Sequence, residues 1–341
     1  MSFRRALGPF DATMIVIGGI IGSGIFINPY LVARQLDSTS LVLLAWAVGG
    51  AVALAGAFAY GELGQRLPKA GGQYVYLSRA WHPLVGFLYG WALLFMIETG
   101  AMAAVAITFA QYASRMAGGD GADPQVIAVA AIVVLSAINY VGVKPGSQVL
   151  NVFVILKVAA LAALIMFAWT GPEAPGWLTA ARVDATPSTA LTFGVAMIPI
   201  LFAYGGWQNA NYVAEEMRDP RRHLPIALLV GTLTVVVVYL LANVAYLRTL
   251  GLDGLAATET PAAEAAGRWF GSAGERLIAG AIAISTFGFL NLAILAPTRV
   301  YFAMARDGAF VPALARLHPR FHTPAAAIVL QSAWAIVLTL T

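Results

Sequence analysis

The chain has 341 residues, 60% hydrophobic and only 11% charged, with a net charge of +4, whereas soluble domains carry about 25% charged residues. That balance excludes a soluble globular protein and predicts an integral membrane protein. Cysteine is absent, which excludes a disulfide framework, thiol chemistry and a cysteine metal site. The basic residues are scattered and form no stripe for a nucleic acid.

A transmembrane helix needs about 20 largely apolar residues. Nine segments answer to that: 12–33, 41–64, 84–113, 125–142, 148–169, 188–211, 225–247, 276–303 and 324–341. The first exceeds a signal-peptide core and runs into Asn28-Pro29 with no Ala-x-Ala-type site, so it is expected to stay on the chain. Its middle reads Gly18-Gly19-Ile20-Ile21-Gly22-Ser23-Gly24-Ile25-Phe26, which withdraws both helix propensity and side-chain bulk. Unwound backbone at membrane depth survives only where protein or a watery cavity satisfies it. Freed N–H groups around Gly22, Ser23, Gly24 and Ile25, at the positive end of the half-helix that follows, suit a carboxylate. Gly18 and Gly22 also form a small-xxx-small pair, and close helix packing alone would use it.

After the second segment, Arg66 to Tyr76 reads as a short amphipathic cytoplasmic connection. Glu98 in the third segment lies near the midplane, where a hydrogen bond to a neighbouring helix is expected, with a direct role in transport as the alternative. Glu62 and Asn139, near segment ends, read as solvated or structural. Lys157 in the fifth segment is about 15 Å from either end, so it must face a partner inside the bundle. Its ammonium can hold the place of a sodium ion, titrate to couple proton movement, or simply cap the carbonyls of a broken helix.

The sixth segment is interrupted at Phe202-Ala203-Tyr204-Gly205-Gly206-Trp207. Carbonyls at the end of its first half form the negative end of a dipole and suit an ammonium. Phe202, Tyr204 and Trp207 would wall off a side chain or form a gate. An interfacial aromatic belt is the alternative, but the run lies about 15 residues into its segment, beyond the midplane. Donors at one break and acceptors at the other make the complement of an α-amino acid.

Five helices separate the breaks, and an odd number reverses membrane direction. Residues 12–170 and 188–341 therefore read as two repeats related by an axis in the membrane plane, within one transmembrane domain spanning 1–341. Such a pair points to a secondary transporter. A pair of five-helix units needs a tenth helix, and this sequence stops at Thr341 inside or just after the ninth, so a fragment or truncated product is expected. Residues 251–271 read as an external helix and 306–324 as a basic, proline-punctuated cytoplasmic loop. Ser285 and Thr286 in the eighth segment are candidate hydroxyl partners for Lys157 or the first break, although such hydroxyls often bond only their own helix.

Arg4, Arg5, Arg66, Lys69, Arg79, Lys144, Arg218, Arg221, Arg222, Arg306, Arg316 and Arg320 fall on one side. Arg34, Arg115, Arg182, Arg248, Arg268 and Arg276 fall on the other. That excess places the N-terminus in the cytoplasm of a multi-pass cell-membrane protein. Lys157 and Arg299 lie within segments. Enzyme readings fail on inventory: a hydrolase at Gly22-Ser23-Gly24 needs a nearby base, and His82, His223, His318 and His322 all lie in or beside cytoplasmic loops. Pro319 and Pro324 argue against a helical zinc pair at His318 and His322, and no phosphate-binding glycine loop is present. No cofactor or metal is expected.

Gly22-Ser23-Gly24-Ile25-Phe26, Pro68-Lys69-Ala70-Gly71-Gly72-Gln73-Tyr74 and Phe202-Ala203-Tyr204-Gly205-Gly206-Trp207 resemble the amino acid–polyamine–organocation superfamily. So do Glu215-Glu216-Met217-Arg218-Asp219-Pro220, with Arg221 to Pro225 after it, and Ala296-Pro297-Thr298-Arg299 through Gly308. The sixth-segment motif is most similar to the L-type amino acid transporter branch. The resemblance implies an all-α, leucine-transporter-type inverted repeat with discontinuous helices 1 and 6, carrying α-amino acids by alternating access. It assigns Ser23, Gly24 and Ile25 to carboxylate binding, and Phe202, Ala203 and Tyr204 to the amine-binding carbonyls and gate. Lys157 matches a lysine that, in sodium-independent members, reaches the second sodium position, and Ser285 matches the eighth-helix side of that site. The usual twelve helices of the family leave helices 10 to 12 unmatched. Sodium-independent exchange of neutral amino acids is the resulting expectation; proton symport or a transport-inactive truncated protein or sensor is the alternative. The expected partners are the amino acid and the lipid bilayer, without nucleic acid, and the sequence names no protein partner.

Overall fold

The computed structural model describes residues 3–117, 123–178 and 187–341, which are helical apart from turns, loops and one isolated bridge. The first segment is built in three pieces, α1 (Pro9–Ile20), α2 (Gly24–Ile27) and α3 (Pro29–Gln35). Pro9 presets the first helical φ, and the Asp11 carboxylate accepts from the Gly8 N–H at 3.0 Å. α1 stops at Ile21, where ψ turns to 92°, directly before the Gly-Ser-Gly run.

α4 (Thr39–Arg66) begins at Ser38, whose hydroxyl accepts from the Leu41 N–H at 3.1 Å. The connection after it turns at Gly71 and Gly72, both with positive φ, into α5 (Gln73–Ala80). α6 (Pro83–Ala92) passes through a π-turn at Leu93–Ile97 into α7 (Glu98–Ala117), so the third segment bulges just before Glu98. α8 (Pro124–Val141) and α9 (Val143–Thr170) meet at Gly142. α10 (Pro187–Ala203) and α11 (Asn209–Tyr212) flank the second interruption.

α12 (Pro220–Ala257) extends past both ends of its expected segment and loses helical geometry at Gly251, φ 73°. α13 (Pro261–Phe270) is the short helix expected there. One expectation needs correction: the eighth segment is not continuous to 303 but splits at Ala296-Pro297 into α14 (Ser272–Leu295) and α15 (Thr298–Arg306). Pro297 has no N–H for the ladder and its ring crowds the preceding turn. α16 (Ala325–Leu340) completes the helices.

Six of these spans are long and apolar enough to cross a membrane; Pro9–Ile20, Ser188–Ala203 and Ala325–Leu340 are shorter apolar helices. The breaks account for the shortness of the first two. α12 lies along α4 and α1, while α14 lies along α7 and α9. Small residues set the approach of α1 to both neighbours. A Cβ on Gly18 would stand 2.9 Å from Val154 of α9, and one on Gly231 of α12 would stand 2.7 Å from Val16. Leu44, Val48, Val52 and Phe58 lie exposed on α4, which suits a lipid-facing stripe. Arg4, Arg5, Lys144, Arg218 and Arg320 gather around one cavity. Arg34 and Arg268 instead bond the carbonyls of Ala256 and Thr249, at the far end of α12. Arg182 lies outside the described residues.

Candidate functional site

The two interruptions meet backbone to backbone. A Cβ on Gly19 would stand 2.5 Å from the Gly206 carbonyl oxygen, and one on Gly206 would stand 2.1 Å from that of Gly19. Gly206 also has φ +108°, a region that side chains rarely tolerate. Higher up, Asn28 Nδ2 donates to the Pro199 carbonyl at 2.9 Å, tying the end of α2 to α10. The Ala203 Cβ lies 3.3 Å from the point where a Gly24 Cβ would be.

At the first break, the backbone N–H groups of Ser23, Gly24 and Ile25 make no hydrogen bond among the described residues. Gly22, Ser23 and Gly24 are half-buried, hence reachable, whereas Ile25 is fully buried. At the second, the carbonyls of Leu201, Tyr204 and Gly205 accept none among the described residues. Gly205, Gly206, Trp207 and Gln208 are half-buried. The two unwound backbones thus touch at Gly19 and Gly206 and approach again at Gly24 and Ala203, and each leaves backbone groups without a partner among the described residues.

Lys157 is fully buried, and its Nζ donates to the carbonyls of Ile21 at 2.6 Å and Gly18 at 3.3 Å. Ser285 Oγ donates to the Gly22 carbonyl at 3.1 Å. The Lys157 amine and the Ser285 hydroxyl thus cap carbonyls left at the end of α1. Thr286 bonds only its own helix, at Ile282 and Ala283. Sequence reasoning missed Tyr239 of α12: its hydroxyl lies 3.0 Å from the Ile20 carbonyl and 3.4 Å from that of Ala203, bridging both breaks. A lone tyrosine in an apolar helix carries no periodic signal that would have singled it out.

The three aromatic side chains of the second break part company. Tyr204 is buried, packs at 5.7 Å against Trp46 and 5.1 Å against Tyr239, and donates to the Trp46 carbonyl at 3.2 Å. Trp207 lies over Gly56 of α4, 4.9 Å from the Tyr60 ring. Phe202 is 80% exposed. Only Trp207 is both half-buried and continuous with the open backbone; Tyr204 stiffens the break from behind. Glu62 pairs with Arg66 near the surface, whereas Asn139 is buried and donates to Asn291 at 2.8 Å.

The start of α1 is sealed by a backbone bridge, and a cavity opens at α2 beyond the first break. Leu7 pairs with Met217 in a parallel bridge. Ala6 and Leu7 N–H donate to the Glu216 carbonyl, and the Arg218 N–H donates to that of Leu7. Beneath this bridge Arg299 Nε donates to Glu216 Oε1 at 2.6 Å, with both side chains at most 2% exposed. A second unforeseen group anchors the start of α1: Asp11 accepts from Lys144 Nζ at 2.8 Å and from Asn151 at 2.9 Å. At the other end Phe26 and Ile27 form part of a cavity of about 510 Å³ shared with Tyr112, Glu264, Glu275 and Arg276.

The profile of the amino acid permease family matches residues 7–341. The serine/threonine exchanger SteT of Bacillus subtilis is 34% identical over 99% of this chain and 77% of its own length. The large neutral amino acids transporter small subunit 2 of Rattus norvegicus is 30% identical, over 100% of this chain and 65% of its own. The human b(0,+)-type amino acid transporter 1 is 31% identical, over 96% and 68%. The chain thus spans about two thirds of the latter two proteins. The solved structure of MhsT in complex with L-phenylalanine matches with a TM-score of 0.67 at 14% identity, covering 100% of this chain and 79% of that one. The fold is therefore the leucine-transporter-type inverted repeat, and the family and its relatives are transporters rather than enzymes. By a profile match that runs almost from end to end, this chain belongs to the amino acid permease family.

Proposed function

We propose that this chain exchanges neutral α-amino acids across the cell membrane by alternating access, without sodium, with its N-terminus in the cytoplasm. Residues 12–170 and 188–341 are read as the two inverted repeats. The observation that carries the reading is that the two breaks meet at Gly19 and Gly206, the first with unbonded N–H groups at Ser23–Ile25 and the second with unbonded carbonyls at Leu201, Tyr204 and Gly205. It supplies both ends of an α-amino acid and demands no charged side chain on the substrate. The relatives' names, an exchanger of serine and threonine and a transporter of large neutral amino acids, agree with that class. Sodium independence rests on Lys157, whose ammonium fills the carbonyl nest that a cation would need.

The test is counterflow in liposomes preloaded with unlabelled serine, measuring entry of labelled serine, threonine and leucine. Exchange is expected at equal rates in sodium and choline buffers. Lys157→Met keeps most of the bulk and loses two charge-assisted hydrogen bonds, each worth about 1.5–3 kcal/mol. Exchange by that variant should fall by more than tenfold while membrane insertion persists. A strict sodium requirement in the parent protein, or full activity of the variant, would sink the assignment. A second reading, proton symport, is favoured by Glu98, which follows the π-turn and makes no hydrogen bond or ion pair among the described residues. Net uptake driven by an inward pH gradient into empty liposomes would select it over exchange.

A further inference from the structure

Beside the sealed end lies a cavity of about 440 Å³ that the transport reading does not use. Arg4, Arg5, Lys144, Arg218 and Arg320 line it, and no carboxylate does. Lys144 is committed to Asp11. The guanidinium groups of Arg4, Arg5, Arg218 and Arg320 form no ion pair among the described residues, and all four side chains are exposed. The Arg320 guanidinium stands over its neighbour's ring, Phe321, at 5.5 Å. Four cations with no carboxylate among them raise the positive potential of the hollow and concentrate anions there. Planar guanidinium forks match the oxygens of a phosphate bidentately.

The level of the cavity narrows the source of that anion. Its wall includes the Val141–Pro145 turn, where α8 ends and α9 begins, so it sits where two spanning helices reach the bilayer surface. Basic clusters at that level attract anionic headgroups. Its lining also joins parts of the molecule that belong to different helices. Arg4 and Arg5 precede the Leu7 bridge and α1, and Arg218 follows Met217 after the second break. Lys144 belongs to α9, and Arg320 to the loop between α15 and α16.

We propose that this cavity is a phosphate-binding site, filled by the headgroup of an anionic phospholipid or by a soluble phosphate compound, which ties the ends of both broken helices to α9 and the α15–α16 loop. The test is native mass spectrometry of the full chain in detergent, titrated with phosphatidylglycerol, phosphatidylcholine and inorganic pyrophosphate. Phosphatidylglycerol or pyrophosphate should bind, and phosphatidylcholine should not. The variant R4Q/R5Q/R320Q should weaken binding by about tenfold or more, and Arg320→Gln alone by about fivefold, should the triple variant fold poorly. R79Q/R221Q/R316Q removes the same charge from exposed positions outside the cavity and should leave binding unchanged. Displacement of the lipid by pyrophosphate would indicate the soluble source, and lipid binding that pyrophosphate leaves intact would indicate the headgroup. Equal weakening by the two triple variants, or no binding of either probe to the parent, would overturn the site.

Discussion

Replacing Gly19 by alanine tests whether the two breaks are held together through their backbones. The new Cβ would lie 2.5 Å from the Gly206 carbonyl oxygen, 3.1 Å from its carbon and 3.2 Å from Leu292 Cδ2. Comfortable separations lie at about 3.5–4.0 Å, so backbone rather than a flexible side-chain tip has to retreat by about 1 Å. Overpacking of that kind costs about 1–3 kcal/mol. Gly206→Ala meets a nearer obstacle, 2.1 Å from the Gly19 carbonyl oxygen, and adds left-handed strain at φ +108°, worth about 1 kcal/mol more. At roughly 1.4 °C per kcal/mol for a chain of 341 residues, thermal unfolding in detergent should drop by about 1–4 °C for Gly19→Ala. The drop should be larger for Gly206→Ala, with serine counterflow lost in parallel. Because both changes push the same two backbones apart, the double variant should cost less than the sum by about 0.5 kcal/mol or more. Gly100, whose Cβ would meet nothing within 4 Å, is the control, and Gly100→Ala should melt no lower than the parent. A Gly19→Ala protein with parental melting temperature and exchange rate would refute the crossing, as would a fully additive double variant.

Arg299→Met leaves Glu216 buried without its guanidinium and should destabilise by about 3–5 kcal/mol, whereas Arg299→Met with Glu216→Met should melt well above the single variant. A single variant that melts with the parent would show that the pair is not buried. Acid stability gives a second measurement, through Asp11 at the surface end of α1. Burial tends to raise its carboxyl pKa, but hydrogen bonds from Lys144, the Gly8 N–H and Asn151 outweigh it and hold the group below its ordinary 3.8. A carboxyl depressed on folding contributes stability that is complete above the ordinary value and is lost as pH falls through the lower one. The melting-temperature advantage of the parent over Asp11→Asn should therefore be full at pH 6 and shrink below about pH 3.8. An advantage that stays constant across that range would contradict the Asp11 contact set.

Much of the site was legible because it rests on backbone chemistry that local sequence controls. Glycine-rich runs inside apolar segments signal unwound helix or close packing, and the Gly-Ser-Gly and Gly-Gly runs that were read as breaks fell where the structure unwinds, at Ile21–Ser23 and Tyr204–Gln208. Lys157 announced an interior partner by its depth, and the structure supplies the carbonyls of Gly18 and Ile21. Ser285 was legible for the same reason, whereas its neighbour Thr286 turned back on its own helix. The split at Ala296-Pro297 was missed because apolar composition continues through it, although Pro297 was visible. The π-turn before Glu98 leaves no composition signal at all.

By itself, then, the sequence determined what is local or additive along the chain: an apolar membrane-class composition, where spans lie, where they must break, and that a lone lysine at depth needs a partner. Only the tertiary structure decided which groups became partners. Tyr239 bridges the carbonyls of Ile20 and Ala203, and Arg299 joins Glu216 across 83 positions of sequence. Tyr204 turns to Trp46, while Gly19 and Gly206 share one crossing point. Those choices depend on the rotation and depth at which helices far apart in sequence pack. The requirement that buried polar groups be satisfied states that a partner exists, but only packing selects which one.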